Sequence, residues 1–264
     1  MSKTILITGA TDGIGLETAK ILVGEGHRVL LHGRNPAKLD TVAQSLADLP
    51  GPVETYVADL SRLDEVGRLV DDILAKHETL DVLINNAGVF KTSRPLADNG
   101  MDVRFVVNTI APYLLTMKLL PLIPTDGRVV NLSSAAQAPV NMRALGGQGA
   151  LDDFDAYAQS KLAITMWTNH LAAAHPDGPV FVSVNPGSLL ATKMVHEGFG
   201  VAGSDIGIGA GILVRAALSD EFADASGKYF DNDDRCFAPP HPAGRDRRGA
   251  EDLVQAIERV LVAA

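Results

Sequence analysis

The sequence predicts an α/β fold: a doubly wound parallel sheet of about seven strands with helices on both faces. Short runs of five or six apolar and β-branched residues alternate with longer segments whose apolar residues recur at helical spacing. The length of 264 residues fits one large domain or two small ones. The alternation runs along the whole chain without a linker rich in Pro or Ser, so we expect a single domain over residues 1–264.

The first half of the chain follows this order regularly. Pro36 suits the first position of a helix, because its fixed φ and missing N–H are tolerated there. Val66, Leu69 and Ile73 share one helix face, which predicts an amphipathic helix. The predicted elements are a strand at 4–8, a helix at 14–23, a strand at 28–32, a helix at 36–49, a strand at 53–58, a helix at 63–77 and a strand at 80–84.

The second half continues the pattern with longer interruptions. The predicted elements are a helix at 100–122, a strand at 127–132, a helix at 155–174, a strand at 179–184, a helix at 204–218, a short strand at 227–231 and a terminal helix at 250–262. Segments 135–153 and 188–204 are irregular, and long loops in a compact domain are often functional. Residues 232–249 are rich in Asp, Arg and Pro, which predicts a solvated segment.

Composition excludes several classes of protein. A formal charge of -9 argues against a general nucleic-acid binder, which needs a basic face. Cys236 is the only cysteine, so neither an intrachain disulfide nor a zinc site with several thiolates can form. The seven histidines show no metal-ligand spacing, and we expect no metal. No apolar run reaches the ~20 residues of a membrane span, and the N-terminus is not typical of a signal peptide. We therefore expect a soluble, cytoplasmic protein.

A glycine-rich segment, residues 8–15 (TGATDGIG), lies between the first strand and the first helix. Glycines there permit a tight turn and close approach of the backbone to a pyrophosphate, and the helix N-terminus supplies free N–H groups. The spacing differs from the commoner G-x-G-x-x-G fingerprint. Taken alone, it also fits an ordinary glycine-rich turn.

Three further polar motifs fall at predicted strand ends or on a helix. Residues 85–88 (NNAG) end the fourth strand, and Ser134 follows the fifth. Ligands of open α/β sheets bind outside the carboxyl ends of the strands. Tyr157 and Lys161 lie four residues apart, on one face of a helix. A nearby ammonium lowers the pKa of a phenol, which makes it usable as an acid or base. Separately, these motifs also fit a turn, an ordinary serine and a solvated helix face.

Together, and in this order, the motifs resemble the short-chain dehydrogenase/reductase family, whose members have a Rossmann fold. The resemblance extends from Thr4 to the strand at 227–231 and includes residues 185–187 (NPG). It implies that Tyr157 is the general acid/base. It also implies that Ser134 binds the same substrate oxygen, with Ser133 as the neighbouring alternative. Lys161 would hold the nicotinamide ribose and lower the Tyr157 pKa, and Asn108 would complete a proton relay.

The resemblance also implies which residues bind a nicotinamide dinucleotide. The pyrophosphate would lie against Gly9, Thr11, Asp12, Gly13, Ile14 and Gly15. The adenosine would contact Asp59, Leu60, Asn86, Ala87 and Gly88. The nicotinamide end, beside Tyr157 and Lys161, would be held by Pro186, Gly187 and Thr192.

The choice of cofactor depends on the end of the second strand, residues 32–35 (HGRN). An acidic residue there would bond the ribose 2′-OH and repel a 2′-phosphate. None is present, and Arg34, followed by Asn35, can pair with a 2′-phosphate. This favours NADP(H). Two observations leave NAD(H) open as the cofactor. Arg34 also fits an ordinary surface residue, and Asp12 stands where many NADP-using relatives carry a basic residue.

Ser134 and Tyr157 are 23 positions apart, farther than is usual in the family. This spacer is similar to that of the retinol-dehydrogenase-like and protochlorophyllide-reductase-like branch. Members of this branch often act on large, apolar carbonyl compounds, so the resemblance implies an apolar small-molecule carbonyl or alcohol substrate, and it also implies a homodimer or homotetramer. Residues 188–204 would form a substrate lid. Its inner face would be apolar, although the same side chains also fit ordinary packing: Leu189, Leu190, Met194, Val195 and Phe199.

The sequence therefore predicts an NADP(H)-preferring oxidoreductase that interconverts an alcohol and a ketone or aldehyde. An NAD(H)-dependent dehydrogenase of the same family is one alternative. A dinucleotide-sensing regulator without turnover is the other. The set Ser134, Tyr157, Lys161 and Asn108 argues against that regulator, because a sensor needs no acid/base.

Overall fold

The computed structural model describes residues 2–263, apart from the side chain of Phe199. The ends of the predicted domain 1–264, and the predicted contribution of the Phe199 side chain to the lid, therefore lie outside the described part. The strands are β1 Thr4–Ile7, β2 Arg28–Gly33, β3 Val53–Val57, β4 Val82–Asn85, β5 Arg128–Leu132, β6 Val180–Asn185, β7 Lys228–Asp231 and β8 Cys236–Ala238. The α-helices are α1 Gly13–Gly24, α2 Pro36–Ser45, α3 Leu63–Lys76, α4 Val103–Phe105, α5 Ala111–Leu119, α6 Met142–Leu145, α7 Asp153–Ala174, α8 Lys193–Phe199, α9 Ile206–Leu218 and α10 Arg247–Ala263.

These strands form one sheet in the order β3-β2-β1-β4-β5-β6-β7-β8. Strands β1 to β7 are parallel, and β8 is antiparallel to β7. The chain winds outward from β1 to β3 and then returns to place β4 on the other side of β1. This reversal opens a crevice at the carboxyl ends of β1 and β4, where doubly wound folds bind ligands. The predicted doubly wound α/β fold is confirmed.

The strand count differs from the prediction, because eight strands are present among the described residues instead of about seven. The additional strand, β8, lies in the segment 232–249 that was predicted to be solvated. Phe237 carries it: its ring contacts those of Phe222 and Phe230 at centroid distances of 5.2 and 5.1 Å. A strand of only three residues, in a segment rich in Asp, Arg and Pro, is too short to produce a recognisable periodic pattern.

Both faces of the sheet are buried, which explains why the strands read as continuous apolar runs. On β1, Leu6 points into a core shared with α3, α5, α7 and α10. Its neighbours Ile5 and Ile7 point into the opposite core, shared with α1, α2 and α9. The rigid sheet between these cores fixes the positions of the loops at its carboxyl edge.

The predicted helix at 100–122 is composite. The α-helical turn of α4 passes into a π-helical turn, Val106–Ile110, then α5, and ends in a 3₁₀ turn, Leu120–Leu122. The stretch Val103–Leu122 is long and apolar enough to span a membrane, with a mean hydropathy of 1.4, but 67% of it is buried inside the protein, as in a core helix. π-turns often occur at functional sites, and this one carries Asn108.

Helix α10 covers α7. Trp167 of α7 is fully buried, and Tyr113 of α5 contacts its ring at 5.7 Å while donating a hydrogen bond to Glu258 of α10. Met166 is also buried. Both α7 side chains are therefore packing residues.

The two irregular segments contain short elements. Segment 135–153 includes α6, and segment 188–204 includes α8. A β-bridge between Leu190 and Ser204 closes the second segment into a loop. Leu190 is buried, whereas Leu189 is 47% exposed with a left-handed φ of 50°. Of these two lid residues, only Leu190 faces inward.

Candidate active site

A cavity of about 790 Å³ lies at the carboxyl edge of the sheet. Its size falls within the roughly 300–1,000 Å³ of cofactor and ligand clefts. The predicted site residues that line it are Gly9, Thr11, Asp12, Gly13, Ile14, Arg34, Asn35, Asp59, Leu60, Asn86, Ala87, Gly88, Tyr157, Lys161, Pro186 and Thr192. Gly15, Asn108, Ser134 and Gly187 are predicted site residues that do not line it. The topology therefore brings segments from across the sequence to one cleft.

The glycine-rich segment forms one wall. Gly9 and Gly13 have left-handed φ values of 67° and 60°, which favour glycine. Asp12 caps α1 by accepting a hydrogen bond from the Gly13 N–H. Asn86 ties this wall to β4, because its amide Nδ2 donates to the carbonyls of Thr8 and Gly9 at 2.8 and 3.1 Å. These bonds give the Asn of the NNAG motif a structural role as well.

Gly15 is required by this junction. A Cβ there would lie 2.4 Å from both the Asn86 Nδ2 and the Gly9 carbonyl oxygen. We expect Gly15→Ala to displace the glycine-rich segment, to cost about 1–3 kcal/mol of stability and to weaken NADPH binding. Gly24→Ala at the end of α1 is the matched control, because nothing lies within 4 Å of a Cβ there. Thermal unfolding measures the loss of stability, and NADPH titration measures the loss of binding. Equal Tm and Kd values for the Gly15→Ala and Gly24→Ala variants would contradict the expectation.

The adenosine end lies between the ends of β2 and β3. Asn35 caps α2, since its side chain accepts a hydrogen bond from the Lys38 N–H at 3.1 Å. The Asp59 carboxylate accepts from the Ser61 N–H and hydroxyl at 2.9 and 2.8 Å. Both side chains thus shape the backbone beside the cavity.

His32 lines the cavity and is a residue that the sequence did not single out. Its ring is buried beneath the cavity, where Nδ1 accepts from the Gly9 N–H at 3.2 Å and Nε2 donates to the Ala58 carbonyl at 3.0 Å. Burial lowers the pKa of His32 to about 4, so the ring is neutral at physiological pH, as these two bonds require. It joins the glycine-rich segment to the end of β3. The sequence feature that could have indicated this role is a histidine at the end of a buried strand.

The predicted catalytic side chains meet at the other end. The Ser134 side chain lies beside Tyr157, close enough to lower the pKa of the phenol. Ser133 also lines the cavity, but its side chain is buried and its hydroxyl is bonded to the Lys161 carbonyl and the Thr165 hydroxyl at 2.9 and 2.8 Å. This geometry favours Ser134 over its neighbour. Lys161 Nζ donates to the Leu132 carbonyl at 2.7 Å and lies 5.7 Å from the centre of the Tyr157 ring.

Burial is the main cause of the pKa shifts of Tyr157 and Lys161. It raises the pKa of Tyr157, while the nearby Ser134 side chain lowers it in part. It also lowers the pKa of Lys161 to about 8. The sequence led us to expect a lowered Tyr157 pKa through Lys161; the direction found is the opposite, because the phenol is desolvated and the ammonium bonds a carbonyl instead.

The side chain of Asn108, which lies in the π-turn, makes hydrogen bonds through both its oxygen and its nitrogen. It accepts from the Val89 N–H and donates to the Val89 carbonyl and to the Ser160 hydroxyl, at 2.8, 2.9 and 2.9 Å. A Cβ on Gly88 would lie 3.4 Å from Asn108 Oδ1 and 3.5 Å from Lys161 Nζ. The absent side chain of Gly88 therefore leaves a space that these two polar groups face.

Phe90 is a second residue that the sequence did not reveal. Its ring contacts that of Tyr157 at 5.1 Å and that of Phe154 at 6.5 Å. A Cβ on Gly198 of α8 would lie only 2.7 Å from it. Helix α8 thus packs directly on the aromatic ring beside Tyr157. No pattern predicts this contact, because it joins three distant segments.

Within residues 2–263, no group of three or more His, Cys, Asp or Glu side chains is arranged to hold a metal ion.

Comparison with known proteins gives a consistent result. A family model described as short chain dehydrogenase matches residues 3–199. Retinol dehydrogenase 12 of Mus musculus is 32% identical over 268 residues, covering 95% of this chain and 84% of the relative. The chloroplastic short-chain dehydrogenase TIC 32 A of Brassica napus is 31% identical over 253 residues, covering 86% of this chain and 79% of the relative.

Solved structures agree. A short chain dehydrogenase from Shigella flexneri 2a str. 301, complexed with NADP, superimposes with a TM-score of 0.69 at 28% identity. The match covers 87% of this chain and 96% of that one.

Proposed function

Because the chain belongs to the short-chain dehydrogenase/reductase family, in its retinol-dehydrogenase-like branch, and is an NAD(P)-dependent oxidoreductase, we propose that it prefers NADP(H) and interconverts an alcohol and a ketone or aldehyde. The observation that carries this proposal is that Tyr157 and Lys161 line one end of a dinucleotide-sized cleft, with the Ser134 side chain beside Tyr157.

The residues present fit a nicotinamide dinucleotide. Gly13 has open space at its Cβ position except for Thr192 Cγ2 at 3.9 Å, so its backbone can approach a pyrophosphate closely. The gap at Gly88 faces Lys161 Nζ, a donor suited to ribose hydroxyls. When bound, the cofactor supplies or accepts the hydride.

Tyr157 is proposed to exchange the proton that accompanies this transfer. In the reductive direction, its O–H donates to the substrate oxygen, and the Ser134 hydroxyl binds that same oxygen. A phenol whose pKa is raised by burial is neutral at pH 7 and holds this proton ready. Positioned proton transfer of this kind contributes roughly 100- to 10,000-fold to a rate.

The preference for NADP(H) rests on two unpaired cations. Arg34 and Lys38 line the adenosine end and make no ion pair within residues 2–263. Arg62 and Arg94, which line the same cavity, are both paired with Asp98. Lys38 lies at the N-terminus of α2, where the helix dipole adds positive potential. Together these groups suit a 2′-phosphate.

We expect Arg34→Ala to weaken NADPH binding about 10- to 100-fold, the range for losing a charge-assisted hydrogen bond. NADH binding should change little, because it has no 2′-phosphate. Fluorescence titration with both dinucleotides measures this. Arg28→Ala is the control, since Arg28 begins the same strand but pairs with Glu54 outside the cavity. Tighter binding of NADH than NADPH by the unmodified protein would overturn the preference and favour the NAD(H)-dependent alternative.

A further inference from the structure

The turn between β7 and β8, residues 231–235, contacts the predicted nicotinamide end from behind. The Asp233 carboxylate accepts hydrogen bonds from the Ser188 N–H at 2.8 Å and the Ser188 hydroxyl at 2.5 Å. The neighbouring Asn232 amide donates to the Pro186 carbonyl at 2.9 Å. Two consecutive residues of one turn thus hold both sides of the segment 186–188.

Asn185 strengthens this connection. Its buried amide Nδ2 donates to Asp231 Oδ1 and to Asp233 Oδ2, each at 2.9 Å. Its Oδ1 accepts from the Gly187 N–H at 3.3 Å. The side chain is therefore oriented by two carboxylates, and it passes that orientation to the Gly187 backbone.

The segment they hold is followed by Leu189, whose carbonyl accepts a hydrogen bond from the Ser204 N–H at 2.7 Å. Gly187 has a φ of 121°, and Leu189 has a left-handed φ of 50°, which is strained for a leucine. Ser188 and Leu189 are exposed. A strained, exposed turn persists only where its surroundings determine its conformation. The bonds to Asn185, Asn232 and Asp233 supply this for residues 186–188, and the bond from Ser204 supplies it for Leu189.

The same strand also reaches the catalytic serine. Tyr229 of β7 donates a hydrogen bond from its hydroxyl to the Ser134 carbonyl at 3.1 Å. The last strand and its turn therefore contact the Ser134 backbone and the segment 186–188 at once. Partial burial raises the pKa of Asp233, but the hydrogen bonds from Ser188 and Asn185 outweigh it and hold that pKa below its ordinary value. The carboxylate is thus charged at neutral pH.

We propose that Asp233, assisted by Asn232, is a positioning residue that holds the 186–188 turn in the conformation that orients the nicotinamide half of the cofactor. This inference rests on the proposed function, because it assigns that half to the cavity end beside Pro186 and Thr192. Asp233 touches no reacting atom. It acts through Asn185 and Ser188.

The test compares NADPH with adenosine 2′,5′-bisphosphate, which lacks the nicotinamide half, and needs no substrate. For Asp233→Ala we expect the Kd for NADPH to rise about tenfold, the range for losing charge-assisted hydrogen bonds. The Kd for the bisphosphate should stay within about twofold of the unmodified value, since that ligand binds at the far end. Asp233→Asn keeps an acceptor for the Ser188 N–H, so its effect should be intermediate.

Asp234→Ala is the matched control, because Asp234 is the next residue in the turn, is exposed and makes no hydrogen bond or ion pair among the described residues. It should leave both Kd values unchanged. The inference is overturned if Asp233→Ala binds NADPH like the control, or if both ligands weaken equally together with a lower Tm, which indicates general destabilisation. If the unmodified protein binds neither ligand, the proposed function itself fails.

Discussion

Tyr157→Phe is expected to lower the rate of carbonyl reduction by roughly 100- to 10,000-fold, because it removes the only proposed proton donor. NADPH binding should be nearly unchanged. The phenylalanine ring keeps the packing of the tyrosine ring against Phe90, which lies 5.1 Å away. Steady-state rates with a fixed carbonyl compound, together with NADPH titration, measure the two effects separately.

Two controls test the assignment of roles. Tyr56→Phe also removes a hydroxyl, one bonded to His77 at 2.9 Å outside the cavity, and should leave the rate unchanged. Ser134→Ala should lower the rate with little loss of stability, whereas Ser133→Ala should act mainly on stability, because that hydroxyl is buried among helix α7 atoms. Full activity of Tyr157→Phe would rule out the phenol as acid/base.

Arg104→Ala is expected to destabilise the protein by about 3–5 kcal/mol, the cost of breaking a buried ion pair. The Arg104 side chain is 1% exposed and is bonded to Asp102 at 2.6 and 2.8 Å, to Asp153, and to the Phe90 carbonyl at 3.4 Å. It thus joins the loop after β4 and the start of α4 to the N-terminus of α7, the helix that carries Tyr157. Activity should fall along with stability.

Thermal unfolding tests this expectation. For a protein of this size, the loss corresponds to a fall in Tm of roughly 10 °C. Arg104→Lys keeps the charge without the two-pronged geometry and should lose an intermediate amount. Arg94→Ala is the control: its side chain is 85% exposed and its pairing with Asp98 is a surface interaction, for which about 0–1 kcal/mol is typical. Equal Tm values for the Arg104→Ala and Arg94→Ala proteins would contradict the role of the buried cluster.

The sequence predicted the sheet well because parallel strands buried on both faces, such as β1 and β4, read as short apolar runs. It predicted the cavity wall because the glycine-rich segment and NNAG fall at strand ends, where topology alone brings them together. The family and its branch were predicted from the same motifs and are confirmed. The single domain, the roles of the site residues, the cytoplasmic location and the homo-oligomer stay predictions.

Long-range side-chain contacts account for what the sequence did not predict. The buried neutral ring of His32, the contact of Phe90 with Tyr157 and the bonds of Asp233 all join segments far apart in the chain. Strand β8 was missed because its apolar triplet gains stability only from Phe222 and Phe230. The expected fall in the Tyr157 pKa was wrong because desolvation depends on tertiary packing, which helix spacing does not reveal.

The most direct test of the central claim follows the hydride itself. NADPH deuterated at the transferable C4 position is incubated with a panel of apolar aldehydes and ketones, and the alcohols formed are examined by mass spectrometry. We predict deuterium at the carbinol carbon of at least one product with the unmodified protein, and at least about 100-fold less of it with the Tyr157→Phe variant under the same conditions. NADPH binding without deuterium transfer to any compound would contradict the claim and favour a dinucleotide-sensing regulator.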